Sequence, residues 1–264
     1  MILSCLNQHA FNLYILEFEL KYSELLPMIN RAFAKLVMEI DHPMSKWEIA
    51  TIEEYFNYSL NLLELLNSIS SSLSHLCQAR LSLSHALSIL ETSSSLAIER
   101  LKPIHRENFR NHFKEGKKET EERSCSGNES VIQQAVIVMR SIGFWVCGIV
   151  LSGLCSDVEP YMEMSKSAGE FVNSLLSSIV CEEIVVKNGV LKEVEEINGA
   201  VAHLVAAAGA ATGESGSNAA KELERRLEEI EKLLEVVGKD TNHLFSEVLA
   251  GRNELLDCLR QQKQ

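Results

Sequence analysis

From Ile52 to Leu90 the chain carries one uninterrupted heptad register. Position a takes Ile52, Ser59, Leu66, Leu73, Arg80 and Leu87, and position d takes Tyr55, Leu62, Ile69, Leu76, Leu83 and Leu90. Ten of these twelve positions are apolar or aromatic, and no Gly or Pro interrupts the run. The pattern predicts a single helix of roughly 60 Å at 1.5 Å per residue. An apolar stripe of that length has to be covered by other helices, so the feature fixes a helical scaffold and leaves its chemistry open.

The rest of the composition agrees with an all-α chain. Among 264 residues, 46% hydrophobic content is ample for a core, while four prolines and 6% aromatics favour helix over sheet. A net charge of −12 argues against broad nucleic-acid binding, which depends on neutralising phosphates. Seven cysteines (Cys5, Cys77, Cys125, Cys147, Cys155, Cys181 and Cys258) are scattered, odd in number and free of any CxxC pair. That spacing speaks against a disulfide framework and a zinc site, and for a reducing compartment. Residues 1–20 contain no Lys or Arg, so no cleaved targeting segment is predicted. The expected location is cytoplasmic, with membrane association as the alternative.

Punctuation along the chain divides it. Residues 1–20 form an atypical N-terminal segment, and 21–113 hold the N-terminal helices. The first of these is predicted over Leu13–Ile40, kinked or divided at Pro27 and stopped by Asp41-His42-Pro43. Ser45 and Glu48 have capping-box spacing, which starts the long helix near Lys46 and gives it a span of 46–91 with Trp47 at its foot. Leu96 to about Phe113 reads as a helix bent at Pro103, and 114–130 as a charged flexible link. Residues 131–208 contain the apolar run Val131–Cys155 with the single charge Arg140, then a helix opened by Pro160 and running to about Glu183, then another over Leu191–Ala208. A Gly-rich link, 209–218, precedes a C-terminal helix, 219–264, with three-four spacing through Leu223, Leu227, Ile230, Leu234, Val237, Thr241, Leu244 and Val248. The expected architecture is an elongated all-α bundle forming one continuous domain, its two heptad-bearing helices packed around the apolar one.

The stretch EEYFNYSLNLLELLNSISSSLSHLCQARLSLSHAL, Glu53–Leu87, resembles the signature helix of the plant BYPASS and ROH-like family. VMRSIGFWVCGIVLSGL at Val138–Leu154 and VLKEVEEINGAV at Val190–Val201 fit the same family in order. With the C-terminal helix they cover most of the chain from about residue 20 onward, whereas residues 1–20 depart from the pattern. The resemblance implies a non-enzymatic plant protein working through protein contacts. The implied roles are restraint of a root-derived signal that arrests shoot growth, or binding of the exocyst tethering complex in secretion. It carries no catalytic residue and no cofactor.

Individual residues offer sharper and plainer readings. Arg80, at an a position, is either a register-setting buried charge or a side chain whose stem covers apolar neighbours while its head reaches water. Arg100, Lys102, Arg106, Arg110, Lys114, Lys117 and Lys118 form a basic stretch that either contacts an anionic surface or lines a solvated face. Val131–Cys155 is either a buried helix or a membrane segment, and Arg140 within it would be expensive near a bilayer centre. His75, His85 and Cys77 lack metal-ligand spacing, and GAATGESG at Gly209–Gly216 lacks the GK[ST] of a phosphate loop. No catalytic, cofactor or metal residue is assigned, and an enzyme of unrecognised type is the rival reading.

Overall fold

A computed structural model describes residues 15–40, 46–105, 127–168, 191–209 and 213–261. Among these residues there are seven helices and no strand: α1 (Ile15–Glu39), α2 (Ile49–Ser88), α3 (Ser94–Arg100), α4 (Asn128–Cys155), α5 (Glu159–Ala168), α6 (Lys192–Gly209) and α7 (Gly213–Gln261). Pro27 lies inside α1, which continues through it as one helix and buries Leu26, Ile29 and Phe33. Phe33 stacks on Tyr55, and Trp47 meets both edge-on, with ring centroids 5.9 to 6.1 Å apart. This aromatic trio ties α1 to the foot of α2.

The heptads of α2 are buried through their middle, from Leu62 to Leu76, yet the covered face is wider than an a/d seam. Thr51, Tyr58, Leu65, Ser72 and Ala86, all at g, are buried as well. On a helical wheel g and a flank d, so α2 presents two adjoining faces to two helices. The g face meets α4: Thr51 bonds Glu129, Tyr58 lies against Gly143 and Phe144, and Ser72 Oγ is 3.4 Å from Cys155 Sγ. The a face meets α7: Ser59 bonds Arg252, Leu73 lies beside Gly238, and Arg80 pairs with Glu231. Residues rising along α2 meet rising numbers on α4 and falling numbers on α7, so α4 is parallel to α2 and α7 antiparallel. The long helix α2, not the apolar α4, therefore takes the middle place between those two. Sequence periodicity points to one seam; a helix with two neighbours needs one and a half.

Helix α4 buries nearly every residue from Ser141 to Cys155. It packs closely on α5, where a Cβ at Gly148 would stand 2.7 Å from Met164 Cβ. Its C-terminus ends at Ser156 in the left-handed conformation (φ 53°), whose N–H and that of Asp157 close the carbonyls of Gly153 and Ser152. Ser152 Oγ accepts the N–H of Tyr161 at 2.9 Å, which turns the chain straight into α5.

Several expected boundaries differ from the helices observed. α2 begins at Ile49, not Lys46, and Glu48 at its N-cap makes no side-chain cap bond. α4 begins at Asn128, inside the stretch read as a charged link, and α7 begins at Gly213, inside the one read as Gly-rich. Extending a helix by a turn beyond a packed run costs little, since even Gly is only about 1 kcal/mol worse than Ala per residue. The basic stretch past His105 and the tail of the Pro160 helix past Ala168 lie outside the described residues.

Candidate functional site

Polar contacts inside the bundle sit where the three principal helices join. Glu129, buried in the first turn of α4, accepts the backbone N–H of Glu48 at 3.1 Å and the hydroxyl of Thr51 at 2.5 Å. Its carboxylate thus lies at the N-terminal ends of both α2 and α4, where unpaired N–H groups and the helix dipoles favour negative charge. About three turns further along α4, Arg140 pairs with Glu54 at 3.3 Å, the two side chains 32% and 14% exposed. Burial raises the Glu54 carboxyl above its ordinary value, and Arg140 partly offsets that. The Nε of Arg140 is buried without a hydrogen-bond partner among the described residues.

On the other side of α2, Arg252 of α7 donates to the carbonyl of Phe56 at 2.6 Å and to Ser59 Oγ at 2.8 Å, and its guanidinium lies 4.8 Å from the centre of the Phe56 ring. One arginine so fixes α7 to α2 by a backbone acceptor, a hydroxyl and an aromatic face. Arg226 of α7 reaches Glu196 of α6 and Glu222 of its own helix. Arg225 and Arg226 hold the Glu222 carboxyl down to about 2 by hydrogen bonding. Asn198 of α6 grips the loop after α3 at two points: its Oδ1 accepts the N–H of Ile104 at 2.7 Å, and its Nδ2 donates to the Ile104 carbonyl at 3.0 Å.

Arg80 pairs with Glu231 at 2.7 Å, its side chain 17% exposed and that of Glu231 41% exposed. Arg80 also lines an open cleft of about 740 Å³ between the C-terminal end of α2 and the N-terminal part of α7. Of the basic stretch, Arg100 ends α3 with Nη1 donating to His85 Nδ1 at 3.2 Å, and Lys102 is exposed in the following loop. Arg106, Arg110, Lys114, Lys117 and Lys118 fall outside the described residues, so no assembled basic surface is described. His75 and Cys77 are half-buried and His85 is exposed; among the described residues no group of three or more His, Cys, Asp or Glu gathers as a metal site.

Buried titratable groups in the core are chemically quiet. Tyr58 is raised far above its ordinary value and the Cys147 thiol is pushed up to about 12, each chiefly by burial. Neither ionises readily, and both pack where α2 meets α4. Among the described helices α4 is long and apolar enough to cross a membrane, yet 78% of its most apolar window is buried inside the bundle. Glu129, Arg252 and Asn198 were not singled out by the sequence. The weak signal for them was a lone polar residue beside an apolar run; their partners lie 78 or more residues away.

Comparison with known proteins adds three relatives. The chain is 24% identical over 253 residues to Protein BPS1, chloroplastic, of Arabidopsis thaliana, a match covering 85% of this chain and 70% of that protein. It is 27% identical over 163 residues to UPF0496 protein 4 of the japonica and indica subspecies of Oryza sativa, covering 53% of this chain and 35% of each rice protein. It therefore matches only about a third of the rice proteins' length. No protein-family profile matches the chain, and no solved structure matches it.

Proposed function

We propose that the chain is a non-enzymatic helical scaffold or adaptor that acts through protein contacts in plant development or in exocyst-linked secretion. The observation that supports this most is the similarity to BPS1 across 85% of the chain, on an architecture of long helices. The polar groups inside the bundle support it too, since those described above are spent on joining helices: Glu129 and Arg140 to α2, Arg252 to α2, Asn198 to the loop after α3. Polar pairings between helices of this kind favour one arrangement of them.

Affinity purification from plant tissue followed by mass spectrometry tests the proposal. Reproducible recovery of the same partners is expected, including exocyst subunits if the secretory role holds; repeated recovery of none overturns it. The cytoplasmic location belongs to the same proposal and is checked by a fluorescent fusion, the more so because the Arabidopsis relative is named as chloroplastic.

A membrane-associated regulator using Val131–Cys155 is the second reading, favoured by the length and apolar character of α4. Carbonate extraction of a membrane fraction separates the two: a spanning segment stays in the pellet, and a scaffold is released.

A further inference from the structure

We propose that the cleft between the C-terminal end of α2 and the N-terminal part of α7 receives a basic amphipathic helix of a partner protein. The proposal rests on the scaffold reading and gives it a place and a chemistry. Leu66, Ile69, Leu73 and Leu76 on the α2 seam are covered by the bundle. Past them Leu83 at d is buried as well, and only the last two positions of the register, Leu87 at the end of α2 and Leu90 in the turn that follows it, are half-covered; they line the open cleft of about 740 Å³ beside the buried Leu227. The seam thus continues past the point where its intramolecular cover thins. A short apolar strip in an open cleft is a surface on which the apolar face of an amphipathic helix can lie.

The charges at the edge choose the partner's sign. Glu91, Glu224 and Glu228 line the cleft, and none of them forms an ion pair with another described residue. Arg80 also lines it, but its charge is taken by Glu231, which leaves Lys221 as the other cation. The excess is negative, on a chain whose net charge is −12. Lys and Arg on the flanks of the incoming helix meet that excess, whereas Glu at those positions is repelled.

The test uses the full chain and two labelled 18-residue peptides with the same leucine stripe, one flanked by Lys and Arg, the other by Glu, followed by fluorescence anisotropy. The basic peptide is expected to bind about 10-fold or more tightly than the acidic one. Glu224→Lys/Glu228→Lys is expected to lower its affinity about 10-fold. Glu247→Lys/Glu254→Lys, an equal change of charge further along α7, is expected to leave it within about 2-fold. Thermal melting of each variant checks that the fold is retained. Equal binding of the two peptides, no binding of either, or the same loss in both double variants overturns the proposal. Tissue purification with Glu224→Lys/Glu228→Lys keeps the two readings apart. If it recovers the wild-type partners unchanged, the cleft falls and the scaffold stands. If the wild type recovers none while the basic peptide binds at the cleft, the scaffold falls and the cleft stands.

Discussion

Glu129 closes the N-terminus of α2 by accepting the N–H of Glu48 at 3.1 Å, from a helix 81 residues further along the chain. The same oxygen takes the Thr51 hydroxyl, so one carboxylate replaces the local cap that the helix lacks. Glu129→Ala leaves the part-buried Glu48 N–H and the buried Thr51 hydroxyl without this acceptor. It is expected to cost about 1–3 kcal/mol, read from the urea midpoint. Glu129→Gln keeps an acceptor and loses the charge, so its cost is expected to be about half as large or less. Equal costs for the two variants would show that the acceptor is not what matters.

The Arg140–Glu54 pair predicts a pH dependence. Burial holds the Glu54 carboxyl above the ordinary 4.5, so the folded chain keeps this proton more tightly than the unfolded chain. The stability contributed by that proton is full below pH 4.5 and is lost as pH rises through the folded value. Arg140→Met removes the offsetting cation and is expected to cost about 1–3 kcal/mol at pH 7, less as pH falls toward 4, and least when combined with Glu54→Gln. Denaturant melts from pH 4 to 8 read all three, and a cost that does not vary with pH would contradict the account.

Two glycines in helices predict opposite signs. Gly148→Ala drives a Cβ to within 2.7 Å of Met164 Cβ and 3.3 Å of the Tyr161 backbone, at a cost of about 1–3 kcal/mol despite the better helix former. Gly199→Ala on α6 has nothing within 4 Å and gains about 0.5–1 kcal/mol. Calorimetric melting of both is a direct comparison.

Thiol chemistry reports on the joint between α2 and α4. Cys147 is fully buried and its thiol is pushed up to about 12, so alkylation at pH 8 is expected to leave it unmodified until the chain unfolds, while the half-buried Cys77 reacts before it. Peptide mapping after timed exposure to iodoacetamide gives the order. Early labelling of Cys147 would mean that α4 leaves the bundle readily.

For Arg80, replacement by Met is expected to change stability by less than about 1 kcal/mol, because its partner Glu231 is well exposed and the stem alone covers apolar neighbours. A loss of several kcal/mol in urea denaturation would instead mark the charge as setting the register.

Long helices were legible because apolar periodicity is a property of neighbouring residues. α2, α4 and α7 follow from Ile52–Leu90, Val131–Cys155 and Leu223–Val248 with boundaries off by a turn or less, except that the C-terminal helix starts earlier. What periodicity misses is a second neighbour: Thr51 and Ser72 look like polar interruptions at g, yet both are buried against α4 through polar contacts with Glu129 and Cys155. The capping-box spacing of Ser45 and Glu48 is a local pattern, and the acceptor at that end comes instead from Glu129. Arg140 reads as an expensive charge until Glu54 is placed beside it, and Arg252 as a surface charge until Phe56 is. Each of these is a long-range pairing, which sequence order does not encode by spacing.

The antiparallel seating of α7 on α2 joins residues 193 to 196 positions apart. On a ribosome, α2 is made long before the helix that covers its a face, and Leu66 and Leu73 stay open to solvent or to chaperones until α7 emerges. Contacts of such separation close last and slowly. A premature stop before Gly213 would therefore do more than shorten the protein, since it would release a chain whose longest apolar stripe has lost its lid.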